Sequence, residues 1–123
     1  MPLSTDQLVA EARKRIVEIP PHAAAAEAAC VLIDVREPAE FVSGHLPGAV
    51  NIPRGVLEFQ VGSHPSLEDP QQPVVVYCRS GGPAALAALT LGELGFGNVR
   101  SIAGGIMGWA EADLPVHVPE PAH

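Results

Sequence analysis

The stretch "VVVYCRSGGPAALAAL" (74–89) places a cysteine where an apolar run passes through a glycine loop into an alanine-rich segment. Two readings of Cys78 follow. It is either the last core residue of a buried strand, since free cysteine packs as a small hydrophobe, or a nucleophile. The loop "RSGG" must turn sharply to enter a helix near Pro83. Gly81 and Gly82 allow backbone angles that other residues avoid and let a ligand approach closely. Successive amides in such a turn form an anion-binding nest, and the following helix adds its positive end. An ordinary cysteine is only a few per cent ionised at neutral pH. Amide donors and a helix N-terminus both favour the thiolate, so Cys78 is the candidate catalytic residue, with Arg79, Ser80, Gly81 and Gly82 as the loop that binds an anionic substrate and Pro83 in support.

The other chemistry-bearing side chains suggest supporting work. Asp34, Arg36 and Glu40 lie in "DVREPAE", where the simplest expectation is an Arg36–Glu40 ion pair at the start of a short helix. His45 has the chemistry of a general base, but a thiol that is already ionised needs none, so a turn or packing role is expected. Cys30 has no glycine loop after it and reads as structural. His22, His64, His117 and His123 lack metal-ligand spacing, so no metal is expected. "AGGIMGW" (103–109) lacks the full dinucleotide or phosphate-loop pattern and reads as a turn, with Trp109 in the core. Arg54, just past a strand end, is a candidate to face the substrate.

These residues need elements to hold them. "STDQLVAEARKRIVEI" (4–19) reads as a helix capped by Ser4 with Gln7 three residues on, and "AAAAEAA" as a second after the break at "IPPH". Strands are expected over 30–35, 48–53, 73–78 and 98–104. Helices are expected over 37–44, from 54, over 83–95 with Gly95 at its left-handed end, and over 105–112. Residues 63–72 read as a polar surface connection. Strands alternating with helices indicate an α/β fold with a mainly parallel central sheet, whose ligands bind at the carboxyl ends of the strands. The loop after Cys78 lies at that end.

At 123 residues the chain fits one domain. Seven basic and fourteen acidic side chains give a formal charge of −7 and no Lys/Arg run, which disfavours nucleic acid and anionic membranes as partners. Two cysteines do not make a disulfide scaffold, and the N-terminus lacks the apolar core of a signal peptide, so a reducing cytoplasm is the expected compartment.

Three segments together resemble the rhodanese (sulfurtransferase) family: "VLIDVREPAEFVSGHLPGAVNIP" (31–53), "VVVYCRSGG" (74–82) and "AGGIMGWAEADLPV" (103–116). The resemblance implies a rhodanese-like domain over 23–116 with helices on both faces of the sheet, preceded by an N-terminal helix and linker over 1–22 and followed by a flexible tail over 117–123. It also implies that Cys78 carries sulfane sulfur as a persulfide, taken from a small anionic donor such as thiosulfate. The sulfur then passes to a thiol, cyanide or a sulfur-accepting protein, with no cofactor. Asp34 and Arg36 would help hold the site loops together. Close relatives often carry arginine and serine where this chain has Pro83 and Ala84. Proline has no N–H to add to the amide ring, and the lost cation is worth about 3 kcal/mol at ~5 Å and an effective dielectric near 20, before screening. Weak activity with thiosulfate is therefore expected. A non-catalytic binding module and a redox-sensing thiol are the alternatives. A phosphatase loop of the Cys-x5-Arg type is excluded because Ala84 stands where its arginine must be.

Overall fold

Five short strands line up in the order β1-β5-β4-β2-β3, all parallel: β1 (Val17–Ile19), β2 (Val31–Asp34), β3 (Val50–Asn51), β4 (Val74–Tyr77) and β5 (Val99–Ile102). The computed structural model describes residues 2–27 and 29–119. The end of the expected tail, with His123, lies outside them. β4 occupies the centre and is buried at all four positions. Its side chains alternate between the two sheet faces. Val74, Val76 and Cys78 join one core with Ala84, Ala87, Ala88 and Leu91 of α5 (Gly82–Glu93), while Val75 and Tyr77 join the other with Ala24, Leu46 and Trp109. Helices therefore cover both faces, and period-2 alternation puts Cys78 on the face that α5 covers.

α1 (Thr5–Arg13) starts with the expected capping box between Ser4 and Gln7 and packs on α5 through Val9, Ala12 and Ala85. It stops well short of Ile19, where the sequence pattern had run it. Val17–Ile19 instead form the edge strand β1, in register with Arg100–Ile102 of β5. β-branched residues suit this pairing better than a further helical turn, so the segment expected as helix and linker supplies one strand of the sheet. α2 (Pro21–Ala25) and α6 (Gly105–Glu111) pack together on the opposite face. α3 (Pro38–Ser43) follows β2, and α4 (Leu57–Gln60) follows a 3-10 turn at Arg54–Val56.

Other expectations shift in detail. The strand expected over 48–53 shrinks to two residues. The polar connection after residue 63 contains a 3-10 turn, Pro65–Leu67, that buries Leu67 in the core. α5 ends as expected: Gly95 adopts φ +102°, and the N–H groups of Gly95 and Phe96 bond the carbonyls of Gly92 and Leu91 at 3.1 and 3.0 Å. His117, placed at the start of a fraying tail, is instead tied down by a two-bond antiparallel bridge to His45. Just before it, Trp109 is buried and its indole N–H donates to the Pro115 carbonyl at 2.8 Å.

Candidate active site at the carboxyl end of β4

Alternation along β4 delivers Cys78 beneath the start of α5. The residue is 2% exposed, and Gly81 N–H donates to its Sγ at 3.0 Å. Gly81 adopts φ +120°, a region closed to most side chains, which lets the loop double back over the sulfur. α5 begins at the next residue, with Pro83 in its first turn. The first-turn N–H groups of a helix have no intrahelical acceptor, so Gly82 and Ala84 bring further donors to the same corner.

The back of the loop is held by α6. Its Ile106 and Met107 N–H groups donate to the carbonyls of Cys78 and Arg79 at 2.9 and 3.1 Å. These two bonds satisfy the carbonyls from the side of α6 and fix the peptide planes of the loop. The approach requires Gly105, at φ +59°. A Cβ there would lie 2.6 Å from the Arg79 carbonyl carbon and closer still to the Cys78 carbonyl oxygen. Sequence reasoning missed this residue, reading "AGGIMGW" as a turn. The signal was present, since paired glycines before a helix mark a close backbone approach.

Asp34 and Arg36 form a buried pair at the end of β2. Asp34 is fully buried. It accepts from Arg36 Nε at 3.1 Å, from Nη2 at 2.8 Å and from the Arg36 backbone N–H at 2.8 Å. Nη2 also donates to the Gly44 carbonyl at 2.6 Å, which ties the end of α3 to the sheet. Burial is the largest single influence and opposes the Arg36 charge, but the hydrogen bonds to Asp34 and the attraction of nearby negative charge, Asp34 first, together hold the guanidinium above its ordinary value. The expected Arg36–Glu40 ion pair does not form among the described residues. α3 starts only at Pro38, so Arg36 lies before the helix and the i, i+4 geometry does not apply. His45 packs, stacked on Phe41 with ring centroids 3.8 Å apart and Nδ1 3.0 Å from the Phe41 carbonyl.

Cys78, Arg79, Ser80 and Pro83 open onto a cleft of about 330 Å³ whose other walls include Val35, Arg36 and Arg54, with Glu37 and Glu40 adding carboxylates. Arg54 pairs with Glu58 at 2.9 Å and donates to Thr90 Oγ1 at 3.2 Å, leaving its buried Nε without an acceptor among the described residues. Gly82 faces an adjoining cavity instead. Cys30 stands apart, at the amino end of β2, next to Val31, which is level with Val74.

A thiol with a backbone donor at the carboxyl end of a central parallel strand fits several chemistries, and comparison with known proteins shows which family the chain belongs to. Residues 21–112 match the rhodanese-like domain family. The chain belongs to that family. This rhodanese-like protein is 37% identical over 90 residues to a sulfurtransferase of Allochromatium vinosum, spanning 73% of this chain and 80% of that one. It is 33% identical over 87 residues to a thiosulfate sulfurtransferase of Haemophilus influenzae, spanning 70% and 78%. Among solved structures, a Rhodopseudomonas palustris protein of unknown function, described as a possible tyrosine phosphatase, superposes with a TM-score of 0.79 at 28% identity, covering 95% of this rhodanese-like chain and 99% of its own. α1 and β1 lie outside the matched residues.

Proposed function

We propose that the protein is a sulfurtransferase that carries sulfane sulfur as a persulfide on Cys78. The observation that carries this reading is the Gly81 N–H at 3.0 Å from a buried Sγ beneath the start of α5. The Cys78 thiolate attacks the outer sulfur of thiosulfate. The bond between the two donor sulfurs breaks, and sulfite leaves with the electron pair. An acceptor thiolate or cyanide then attacks the outer sulfur of the Cys78 persulfide and releases the thiolate. Charge is conserved in both steps, and neither calls for a metal or cofactor. The terminal persulfide sulfur takes the donors of the loop, Ser80, Gly81 and Gly82, while Arg79 and Arg54 supply positive charge on the cleft wall. Asp34 and Arg36 position the loop at the end of β2. Both cysteines are free, which suits the reducing cytoplasm, and among the described residues no helix is long and apolar enough to cross a membrane.

Pro83 and Ala84 favour one competing reading, a module that binds partners without transferring sulfur. A phosphatase reading lacks the guanidinium fork that Ala84 replaces. Intact mass after thiosulfate treatment separates these. One sulfur atom should be gained, with matching sulfite release, and should be absent in Cys78→Ser. An unchanged mass with thiosulfate and with an organic persulfide would leave the binding module. Pro83→Arg should raise kcat/KM for thiosulfate about tenfold, equivalent to about half of the unscreened charge interaction. Equal efficiencies would show that the missing cation is not limiting.

A further inference from the structure

α1 brings its own groups to the site. Thr5, Val9 and Arg13 repeat at four-residue spacing along one face of the helix. Between this face and the first turns of α5 lies a cavity of about 570 Å³, lined by Val9, Arg13, Arg54, Pro83 and Leu86 among others, larger than the cleft of about 330 Å³ over Cys78. Arg54, Ser80 and Pro83 line both, so the two spaces share a wall. Thiosulfate is a small ion that the cleft over Cys78 can hold, and the far part of the second space, between α1 and α5, is not needed for its transfer. Cavities of roughly 300–1,000 Å³ are those that hold organic ligands.

The charges in this space are specific. Arg13 Nη2 lies against the active loop, 3.3 Å from where a Cβ on Gly81 would stand. Its Nε pairs with Glu18 at 3.4 Å. Arg54 lines the same cavity, its Nη1 donating to Glu58 at 2.9 Å and its Nη2 to Thr90 Oγ1 at 3.2 Å. In a chain of formal charge −7, two guanidinium groups thus line one cavity, each with a carboxylate partner, Glu18 for Arg13 and Glu58 for Arg54. One carboxylate, Asp6, lines the same cavity, seven residues before Arg13 and about 10 Å away along the helix axis. Apolar walls between separated cationic and anionic ends fit an amino-acid-like molecule better than an inorganic anion.

We propose that this cavity binds the organic part of an amino-acid-derived, low-molecular-weight persulfide and directs its outer sulfur to Cys78. A carboxylate of the ligand lies between Arg13 and Arg54, its methylenes lie against Val9, Pro83 and Leu86, and its ammonium group faces Asp6. The proposal rests on Cys78 as the sulfur carrier. The Cys78 thiolate attacks the outer sulfur of R–S–SH. The S–S bond of the donor breaks, the thiolate R–S⁻ leaves with the electron pair, and the proton stays on the transferred sulfur. Pro83 then has a second consequence: a long arginine side chain would occupy the wall between the spaces, whereas proline leaves it open.

Glutathione persulfide and the uncharged hydroxyethyl persulfide, with thiosulfate as reference, test this by stopped-flow rates and intact mass. The protein should prefer glutathione persulfide to hydroxyethyl persulfide by tenfold or more in kcat/KM. Arg13→Ala should reduce that ratio about tenfold, chiefly through KM, and Arg13→Lys should recover most of it. A ratio unchanged by Arg13→Ala, or one that Arg13→Lys fails to recover, overturns the subsite. Loading by thiosulfate but not by glutathione persulfide also overturns it, and leaves the sulfurtransferase reading standing. No sulfur on Cys78 from any of the three donors removes both.

Discussion

The residue on which the active loop leans most is one without a side chain. Gly105 sits at positive φ against the carbonyls of Cys78 and Arg79, where a methyl group meets backbone on a side that cannot swing away. A non-glycine residue in that region costs about 1–2 kcal/mol, and overpacking against fixed backbone adds about 1–3. Gly105→Ala should therefore destabilise the protein by roughly 3 kcal/mol, measured by urea denaturation. Sulfur loading per folded molecule should also fall, because α6 can no longer hold the two carbonyls. Full loading at reduced stability would mean that the loop keeps its shape without α6. Gly105 was not legible, and Asp34 and Arg36 were named together only through the family resemblance, the local pattern having favoured Glu40 as the partner of Arg36. Glycine announces freedom but not the atom it must admit, and "DVREPAE" gives Arg36 two carboxylates in reach. Burial decided for Asp34, because a carboxylate with no exposure must find its cation close by.

At the scale of elements, β4 divides the work between its faces. Cys78 meets α5 on one, and Tyr77 holds the other, its phenol oxygen accepting from Leu46 N–H at 3.0 Å. Burial, and then the neighbouring Asp34 carboxylate, push the Tyr77 hydroxyl well above its ordinary range. A folded-state value above the unfolded one means that the native state holds its proton longer. Stability is thus intact below about pH 10 and is lost as pH rises through the unfolded value towards the folded one. Tyr77→Phe strips the acceptor from a buried N–H and should cost about 1–3 kcal/mol at neutral pH. Without the phenol, the variant escapes the alkaline loss, so the gap to wild type should narrow from pH 9 to 11. A constant gap in urea midpoints would show a phenol that ionises as freely in the folded protein as in the unfolded one. β4 and α5 were readable because an apolar run, two glycines and a proline mark their junction locally. β1 was not. Three residues, "VEI", continue a helical pattern, and only pairing with β5, some eighty residues later, makes them a strand.

For the whole molecule, parallel pairing sets the distances between groups far apart in sequence. With every strand running the same way, the ends of β2 and β4 meet at one edge of the sheet, carrying Asp34, Arg36 and Cys78 there, and α6 closes behind them. Alternation of strands and helices made that arrangement legible, although which parts meet depended on strand order, which no local pattern encodes. The same register keeps the two cysteines apart. Val31 is level with Val74, which puts Cys30 about five residues of strand, roughly 16 Å, from Cys78 along the sheet. A disulfide needs Cα atoms within about 7 Å. Burial, and then the Glu27 carboxylate, further raise the Cys30 thiol above its ordinary value and make it a poor nucleophile at neutral pH. Oxidation of the folded protein with one equivalent of hydrogen peroxide should therefore modify Cys78 and leave Cys30 reduced, with no intramolecular disulfide by non-reducing mass mapping. A Cys30–Cys78 bridge formed without unfolding would require the sheet to come apart between β2 and β4, and would restore the redox-sensing reading over sulfur transfer. If the bridge is absent, Cys78 has no thiol of its own chain to resolve it. Whatever sulfur it accepts must then leave to a molecule that enters the cleft, as a transferase requires.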